Sequence, residues 1–241
     1  MSLQSKYSKE VRKELSLFPI WIPGAKVEPG DIGTINKGIF ERQTSLAQMY
    51  PDLKFKVTQS SLSTPFRFVS KDSHAATISG SAQMPTGSLP AGVDASVEVR
   101  FGSKGGVVFS ANGITQYSID NLHEVRSFLE EQRSTWPHGY VLAGTIHRAQ
   151  KFTVLVSDEA GVTATLSGDA EALKQFDLAH ASVSVKSMSS NGYQTQGLGA
   201  VTLRTYAFNL FGYGSKLLSD DEKPPSSDDF VEVSARDPNF D

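Results

Sequence analysis

The chain has 241 residues, 39% of them hydrophobic, which is enough to bury one sizeable core. It contains no cysteine, which excludes disulfides, thiolate catalysis and cysteine-ligated zinc. The formal net charge of -3 is unevenly distributed, because residues 217–241 carry eight acidic and two basic side chains and the remainder is mildly basic. We therefore expect one domain and a separate acidic tail.

The first predicted element is an amphipathic helix. Its apolar residues recur every four positions with Lys and Arg between them: Leu3, Tyr7, Val11 and Leu15. This pattern predicts a short helix docked on the domain, with a membrane-touching helix as the alternative. Residues 1–17 lack the apolar core of a secretory signal, and no run approaches the roughly 18 apolar residues of a spanning helix. We expect a cytoplasmic protein.

The clearest predicted strand lies at residues 93–101, where apolar and polar residues alternate without a fault. Its apolar positions are Val93, Ala95, Val97, Val99 and Phe101. A second alternating stretch supplies Val162, Ala164 and Leu166. Such strands either lie half-buried in a soluble sheet or have the two faces of a strand that crosses a membrane.

The remaining pattern predicts an α+β fold with a mainly antiparallel twisted sheet and a few short helices. Residues 31–50 predict a short strand, a turn and a helical turn, and Asn112-Gly113 predicts a tight turn. Helices are predicted after Asn121, which has Glu124 three residues later, and at 169–178. Further strands are predicted at 55–57, 66–69, 107–109, 114–119, 140–147, 152–156, 181–185 and 201–211.

The chemistry of the chain changes after Gly214. Residues 219–229 hold two prolines, three serines and five acids, and no large apolar residue. This composition predicts a flexible acidic linker at 215–229 that follows a domain at 1–214. The linker contains the candidate cleavage positions for a protease that prefers aspartate: Asp221, Asp228 and Asp229.

The last residues, 230–241, regain some hydrophobic character. Phe230, Val231 and Val233 predict that this C-terminal peptide docks as a strand or loop, as an inhibitory or a recognition segment. An acidic segment tethered to a basic domain can cover it at a high effective concentration. The alternative is a solvated tail that only aids solubility.

No pattern in the sequence predicts catalysis, a metal or a cofactor. The five histidines lack zinc-ligand spacing, and there is no Gly-x-Ser-x-Gly nucleophile motif. Residues 102–106 lack the Walker spacing of a phosphate loop and predict a hairpin turn. No basic cluster is interleaved with aromatic residues, and the pI is about 6.0, which argues against a nucleic-acid partner. We expect a protein that is not an enzyme.

Several stretches resemble bacterial gasdermins. The first is Phe-Pro-Ile-Trp-Ile-Pro-Gly-Ala-Lys-Val-Glu-Pro at 18–29, which leads into Gly-Ile-Phe at 38–40 and Ser45-Leu46. Others are Thr-Ile-Ser-Gly at 77–80, the strand at 93–101, Tyr-Val-Leu-Ala-Gly-Thr-Ile at 140–146 and Val-Thr-Leu-Arg-Thr-Tyr-Ala-Phe at 201–208. The resemblance covers most of residues 10–213. Members of that family commonly carry a lipid-accepting cysteine near the N-terminus, which this chain lacks.

The resemblance implies a fold similar to the gasdermin N-terminal domain and an autoinhibited pore-forming effector. A caspase-like or other protease would remove the C-terminal tail. The cytoplasmic monomer would then become a homo-oligomer on the lipids of the cell inner membrane and cause cell death, as in antiphage defence. A different hypothesis remains open: a non-enzymatic binding or scaffold module of a defence or toxin system, with a C-terminal recognition peptide.

Overall fold

The structure consists mainly of antiparallel strands with a few short helices, so the predicted fold class is confirmed. It is a computed structural model that describes residues 2–70, 73–79, 94–102, 104–169, 184–188, 192–208 and 230–236. The helices are α1 (Leu3–Leu15), α2 (Leu46–Met49) and α3 (Leu122–Glu131), and a 3-10 turn follows at Arg133–Thr135. The strands are β1 (Phe18–Pro19), β2 (Asp31–Asn36), β3 (Ile39–Ser45), β4 (Val57–Ser61), β5 (Phe66–Val69), β6 (Ser73–Ser79), β7 (Asp94–Phe101), β8 (Val107–Ile119), β9 (Val141–Ser157), β10 (Thr163–Asp169), β11 (Ser184–Met188), β12 (Gly192–Phe208) and β13 (Phe230–Glu232).

The described strands form two sheets. The larger sheet has the order β1-β12-β9-β2-β3, with β13 paired to β12 and β8 paired to β9. Both β4 and β5 pair with β8, at different positions along that strand. The smaller sheet has the order β11-β10-β7-β6. Every strand pair with a described register is antiparallel.

The contacts divide the chain into two compact units. Unit 1 comprises Met1–Glu10, Ser63–Ile114 and Ala149–Leu198, and it contains the smaller sheet. Unit 2 comprises Val11–Leu62, Thr115–Arg148 and Gly199–Asp241. Four of the five boundaries fall inside α1, β8, β9 and β12, so each of these elements contributes residues to both units; the fifth lies between β4 and β5.

Unit 2 buries apolar residues on both faces of its part of the larger sheet. In β9, Val141 and Ala143 belong to one core cluster, whereas Leu142 between them belongs to the other. This alternation is the expected one for a strand buried on both sides. The helix α3 packs Val125 and Leu129 into the second cluster. We call the cluster that contains Leu142 the α3 cluster and the other the β1 cluster.

Two predicted strand breaks are wrong, because the chain continues through both as one strand. β8 runs through Asn112-Gly113, where Gly113 has a φ of 56°, and a left-handed glycine inside a strand bends the strand without reversing it. β9 runs from Val141 to Ser157, and Gln150 and Lys151 are exposed within it. The polar character of that pair reflects solvent contact and not a turn.

The helix predicted at 169–178 is not supported at its first residue, because Asp169 ends β10. The rest of that prediction lies outside the described residues. In the part of the chain that the structure covers, no helix combines the length and the apolar character needed to cross a membrane.

Candidate functional site

The smaller sheet of unit 1 brings the two predicted alternating strands side by side. In the register of β7 and β10, Val97 lies opposite Leu166 and Val99 opposite Ala164. Directly opposite residues of an antiparallel pair share one face of the sheet. The outer strands extend these pairs into apolar rows, which are Ile78, Val97, Leu166 and Val185 in one case and Ala75, Val99, Ala164 and Met188 in the other.

Polar rows alternate with the apolar rows. One consists of Thr77, Glu98, Thr165 and Ser187, and another of Ser79, Ser96, Ser167 and Ser184. Two irregularities shift the register of the outer strands, one between Ala75 and Thr77 and one between Thr165 and Leu166. Because of these shifts, each row stays either apolar or polar across all four strands. Ala95, another predicted insertion residue, lies opposite Gly168. All four strands therefore share the two-faced pattern that the sequence predicts for two of them.

Three of the predicted insertion residues are buried in this form of the protein. Phe101, Val162 and Ala164 are all inaccessible or nearly so, and the Phe101 amide donates a hydrogen bond to the Val162 carbonyl at 2.8 Å. In the folded chain these three residues are core residues of unit 1. Val93 lies outside the described residues.

The predicted amphipathic helix, α1, buries two of its four predicted apolar residues. Tyr7 and Val11 are fully buried, whereas Leu3 and Leu15 are partly buried. Within unit 1, the Tyr7 ring packs on Phe109 with 6.3 Å between centroids, and burial raises the pKa of its phenol above the ordinary value. Arg12, on the charged side of the helix, is also buried, which the pattern of the sequence does not predict.

The described part of the C-terminal peptide docks in unit 2, and Phe230 is its first anchor. The Phe230 side chain is fully buried in the α3 cluster, where its ring meets Trp136 edge-on at 5.4 Å between centroids. Its backbone N–H donates to Glu130 Oε1 at 3.3 Å. Glu130 lies in α3, and Trp136 directly follows the 3-10 turn after that helix.

The strand β13 extends this docking along β12. Phe230 lies opposite Phe208, Val231 opposite Ala207 and Glu232 opposite Tyr206. Val231 is only partly buried and belongs to neither core cluster. Arg204 Nη1 donates to Glu232 Oε1 at 2.9 Å, and both side chains are about half exposed, so this ion pair contributes little.

A second anchor lies on the other face of the sheet. Val233 and Ala235 are buried in the β1 cluster, and the Val233 amide donates to the Thr205 carbonyl at 2.8 Å. Arg12 Nη1 donates to the Ala235 carbonyl at 3.3 Å. The peptide therefore holds on to both faces of the unit 2 sheet, and Ala235 and Arg12 are contacts that the sequence did not predict.

The predicted linker and its candidate cleavage positions lie outside the described residues. This applies to Asp221, Asp228 and Asp229 alike. They, and the boundaries at 214 and 229, stay predictions.

A bacterial gasdermin is similar in structure. The match is to the solved structure of a bacterial gasdermin from Bradyrhizobium tropiciagri, with 13% sequence identity and a TM-score of 0.35, and it covers 95% of this chain and 90% of that one. No protein-family model matches the sequence. No curated protein matches it.

The described histidine with the most perturbed surroundings is His147 of β9, in unit 2. Its ring is buried, and Nδ1 lies 3.2 Å from Thr202 Oγ1. Burial, and then the positive charge of Arg204, lower the pKa of this imidazole to about 4, against a smaller opposing effect of a hydrogen bond with the Thr202 backbone. His147 is therefore neutral near pH 7. Within the described ranges, no group of three or more His, Asp or Glu side chains has the arrangement of a metal site.

Proposed function

We propose that this chain is a gasdermin-type pore-forming effector that its own C-terminal peptide restrains until a protease cuts the linker. The observation that carries the proposal is the docking of residues 230–236 through two buried anchors, Phe230 and Val233, in unit 2. The acidic sequence at 215–229 precedes this docked peptide and joins it covalently to the rest of the chain.

The covalent connection matters because it makes docking an intramolecular event. A tethered peptide competes for its site at an effective concentration of roughly millimolar, and a cut removes that advantage. After a cut, only the noncovalent contacts of a short peptide would retain residues 230–241. The peptide pairs with residues 206–208 of β12, so its release would leave that part of one β12 edge unpaired.

The two-faced sheet of unit 1 supports membrane insertion as the step that follows. A strand that crosses a bilayer needs about 9 to 11 residues, with one face toward lipid and one toward water. The apolar and polar rows through β6, β7, β10 and β11 have this alternation, and β7 supplies eight residues of it. The proposal requires these strands to leave the soluble fold and lengthen.

In the cell, the restrained form would lie in the cytoplasm and the cut form in the inner membrane as a homo-oligomer. The sequence resemblance extends the proposal to an activating protease, to membrane lipids as the target and to cell death in antiphage defence. The function needs no catalytic residue, cofactor or nucleic acid.

The alternative, a binding module that presents its tail to a partner, requires an accessible tail. Phe230, Val233 and Ala235 are buried in the docked peptide and not available to a partner. This burial favours the restrained effector over the recognition peptide.

The test is a variant with the recognition sequence of a site-specific protease inserted between Pro225 and Ser226. Dye-filled liposomes that contain anionic lipid should stay intact with the uncut variant and leak when the protease is added. The matched control is the unmodified chain treated with the same protease. If the cut protein keeps its circular dichroism, loses its peptide and causes no leakage at micromolar concentration, the proposal is wrong.

A pair of neighbouring substitutions in that cleavable variant tests the inserting face. Val97→Asn places an asparagine side chain in an apolar row, whereas Ser96→Asn places the same side chain in a polar row. We expect Val97→Asn to reduce leakage strongly and Ser96→Asn to leave it nearly unchanged, because a polar side chain is costly only where it faces lipid. Thermal unfolding of both uncut proteins separates this effect from lost folding. Equal leakage of the two folded variants would contradict the assignment of faces.

A further inference from the structure

The strand β4 of unit 2 is an exposed sheet edge. All five residues from Val57 to Ser61 are exposed, and Val57 retains 47% of its accessible surface. In the portion of the chain that the structure describes, β4 pairs only with β8, from Val57 opposite Ile119 to Ser61 opposite Thr115. One side of β4 therefore faces no described strand.

The ladder with β8 determines which backbone groups point away from the sheet. The Asp120 amide donates to the Lys56 carbonyl at 2.8 Å, so position 56 is a hydrogen-bonded position of this antiparallel pair. Such positions alternate along the strand, which directs the backbone groups of Thr58 and Ser60 toward β8. The N–H and C=O groups of Val57, Gln59 and Ser61 point outward.

The devices that normally protect a sheet edge are absent from this strand. Proteins guard exposed edges with charged residues, prolines or bulges, because unpaired strand edges associate with one another. Residues 57–61 contain neither a charge nor a proline, and their register with β8 is continuous. By contrast, β3, whose described pairing is with β2 alone, carries Glu41 and Arg42 at its centre.

We propose that β4 pairs antiparallel with β4 of a second copy of this chain, with Gln59 opposite Gln59. In that register Val57 of each copy lies opposite Ser61 of the other, so all three outward-facing residues form hydrogen-bonded pairs. The six outward-pointing backbone groups on each edge then pair with the same six groups on the other copy. The contact has two-fold symmetry and closes on itself.

The flanking charges select this orientation over a parallel one. Lys54 and Lys56 are exposed and immediately precede β4. In a parallel pair in register, the two Lys56 residues would lie about 5 Å apart across the strands, and like charges at that spacing repel. In the antiparallel pair they lie six residues apart along the strands, or about 20 Å, beyond the screening length at physiological salt.

The expected association is weak and transient. A contact through one five-residue strand buries far less than the roughly 1,000 Å² of a stable interface. The monomer expected for the restrained protein is then one side of a concentration-dependent equilibrium. This inference concerns the uncut chain and does not depend on pore formation.

Single cysteines test the proposal cleanly, because the chain has no cysteine of its own. Gln59→Cys in the full chain should form a disulfide-linked dimer under mild oxidation, since hydrogen-bonded antiparallel pairs have a Cα separation of about 5.5 Å, within disulfide range. The matched control is Gln43→Cys, which lies exposed on β3. We expect Gln59→Cys to cross-link at least about tenfold faster than this control, because pairing raises the local thiol concentration.

A second measurement tests the register. In a mixture of Val57→Cys and Ser61→Cys proteins, the predicted product is the mixed dimer, because the two Val57 positions lie about 14 Å apart in the antiparallel pair. Circular dichroism confirms that each variant is folded. Equal cross-linking rates of Gln59→Cys and Gln43→Cys would overturn the proposal. So would a mixture in which Val57→Cys forms disulfide-linked homodimers in preference to the mixed dimer with Ser61→Cys.

Discussion

The first prediction concerns Phe230, the anchor of the docked C-terminal peptide in the α3 cluster. The Phe230→Ala substitution removes a fully buried ring and its edge-on contact with Trp136. Such truncations cost about 3–5 kcal/mol, part of it from the cavity that remains. Because 1.36 kcal/mol is a factor of ten, the population of the undocked peptide should rise by about 10² to several times 10³.

Amide hydrogen exchange followed by mass spectrometry measures this undocking directly. The protection of peptides covering 230–236 should fall by the same factor in Phe230→Ala, whereas peptides from β2 should keep more of theirs. If the proposed restraint operates, the uncut Phe230→Ala protein should also release dye from liposomes.

Two variants of the same strand calibrate the result. Phe230→Leu keeps an apolar side chain in the cluster, so it should weaken docking by only about 1–1.5 kcal/mol. The loss of hydrogen-exchange protection should be correspondingly smaller. Val231→Ala changes a partly buried residue outside both clusters and should cost under about 1 kcal/mol. If residues 230–236 are as well protected from hydrogen exchange in Phe230→Ala as in Val231→Ala, the anchoring role of Phe230 is refuted.

Three further predictions concern unit 2. A Cβ at Gly144 would lie 2.3 Å from Tyr206 Cε2, so Gly144→Ala should lower the free energy of unfolding in urea by about 1–3 kcal/mol. The pKa of His147 is lowered to about 4 in the folded protein, so as pH falls this residue is protonated first in the unfolded chain. Its contribution to the free energy of unfolding is therefore lost as pH falls from about 6.5 to 4. In His147→Gln, the free energy of unfolding measured in urea should depend less on pH over that range. Glu232→Gln should change the free energy of unfolding by less than about 1 kcal/mol, because the ion pair with Arg204 is half exposed. The dependence of that free energy on salt concentration should weaken only slightly. A larger loss of stability would show that the ion pair anchors the peptide.

The sequence predicts the two-faced strands well because their signal is local. The alternation at 93–101 places β7 correctly, and it depends only on residues that are neighbours in the chain. The strand β6 has the same two faces, yet its sequence does not alternate cleanly. The reason is the irregularity between Ala75 and Thr77, which only the partner strand reveals.

The docking of the C-terminal peptide shows where local patterns end. The apolar character of Phe230 and Val233 is visible in the sequence, but their partners are not. Trp136 lies almost a hundred residues away, where its sequence context indicates only the end of a helix. Likewise, the charge of Arg12 predicts exposure, and the buried contact with the Ala235 carbonyl overrides that tendency.

The hydrogen bond from the Phe230 amide to Glu130 makes the position of a cut consequential. Hydrolysis directly after Asp229 would turn that amide into an ammonium group facing the Glu130 carboxylate, and the resulting ion pair would hold the severed fragment more firmly. Hydrolysis after Asp221 would leave the new terminus eight residues upstream, with the amide unchanged. Fragments cut at the two places should therefore dissociate at different rates, the longer one faster, which fluorescence of a labelled fragment would measure.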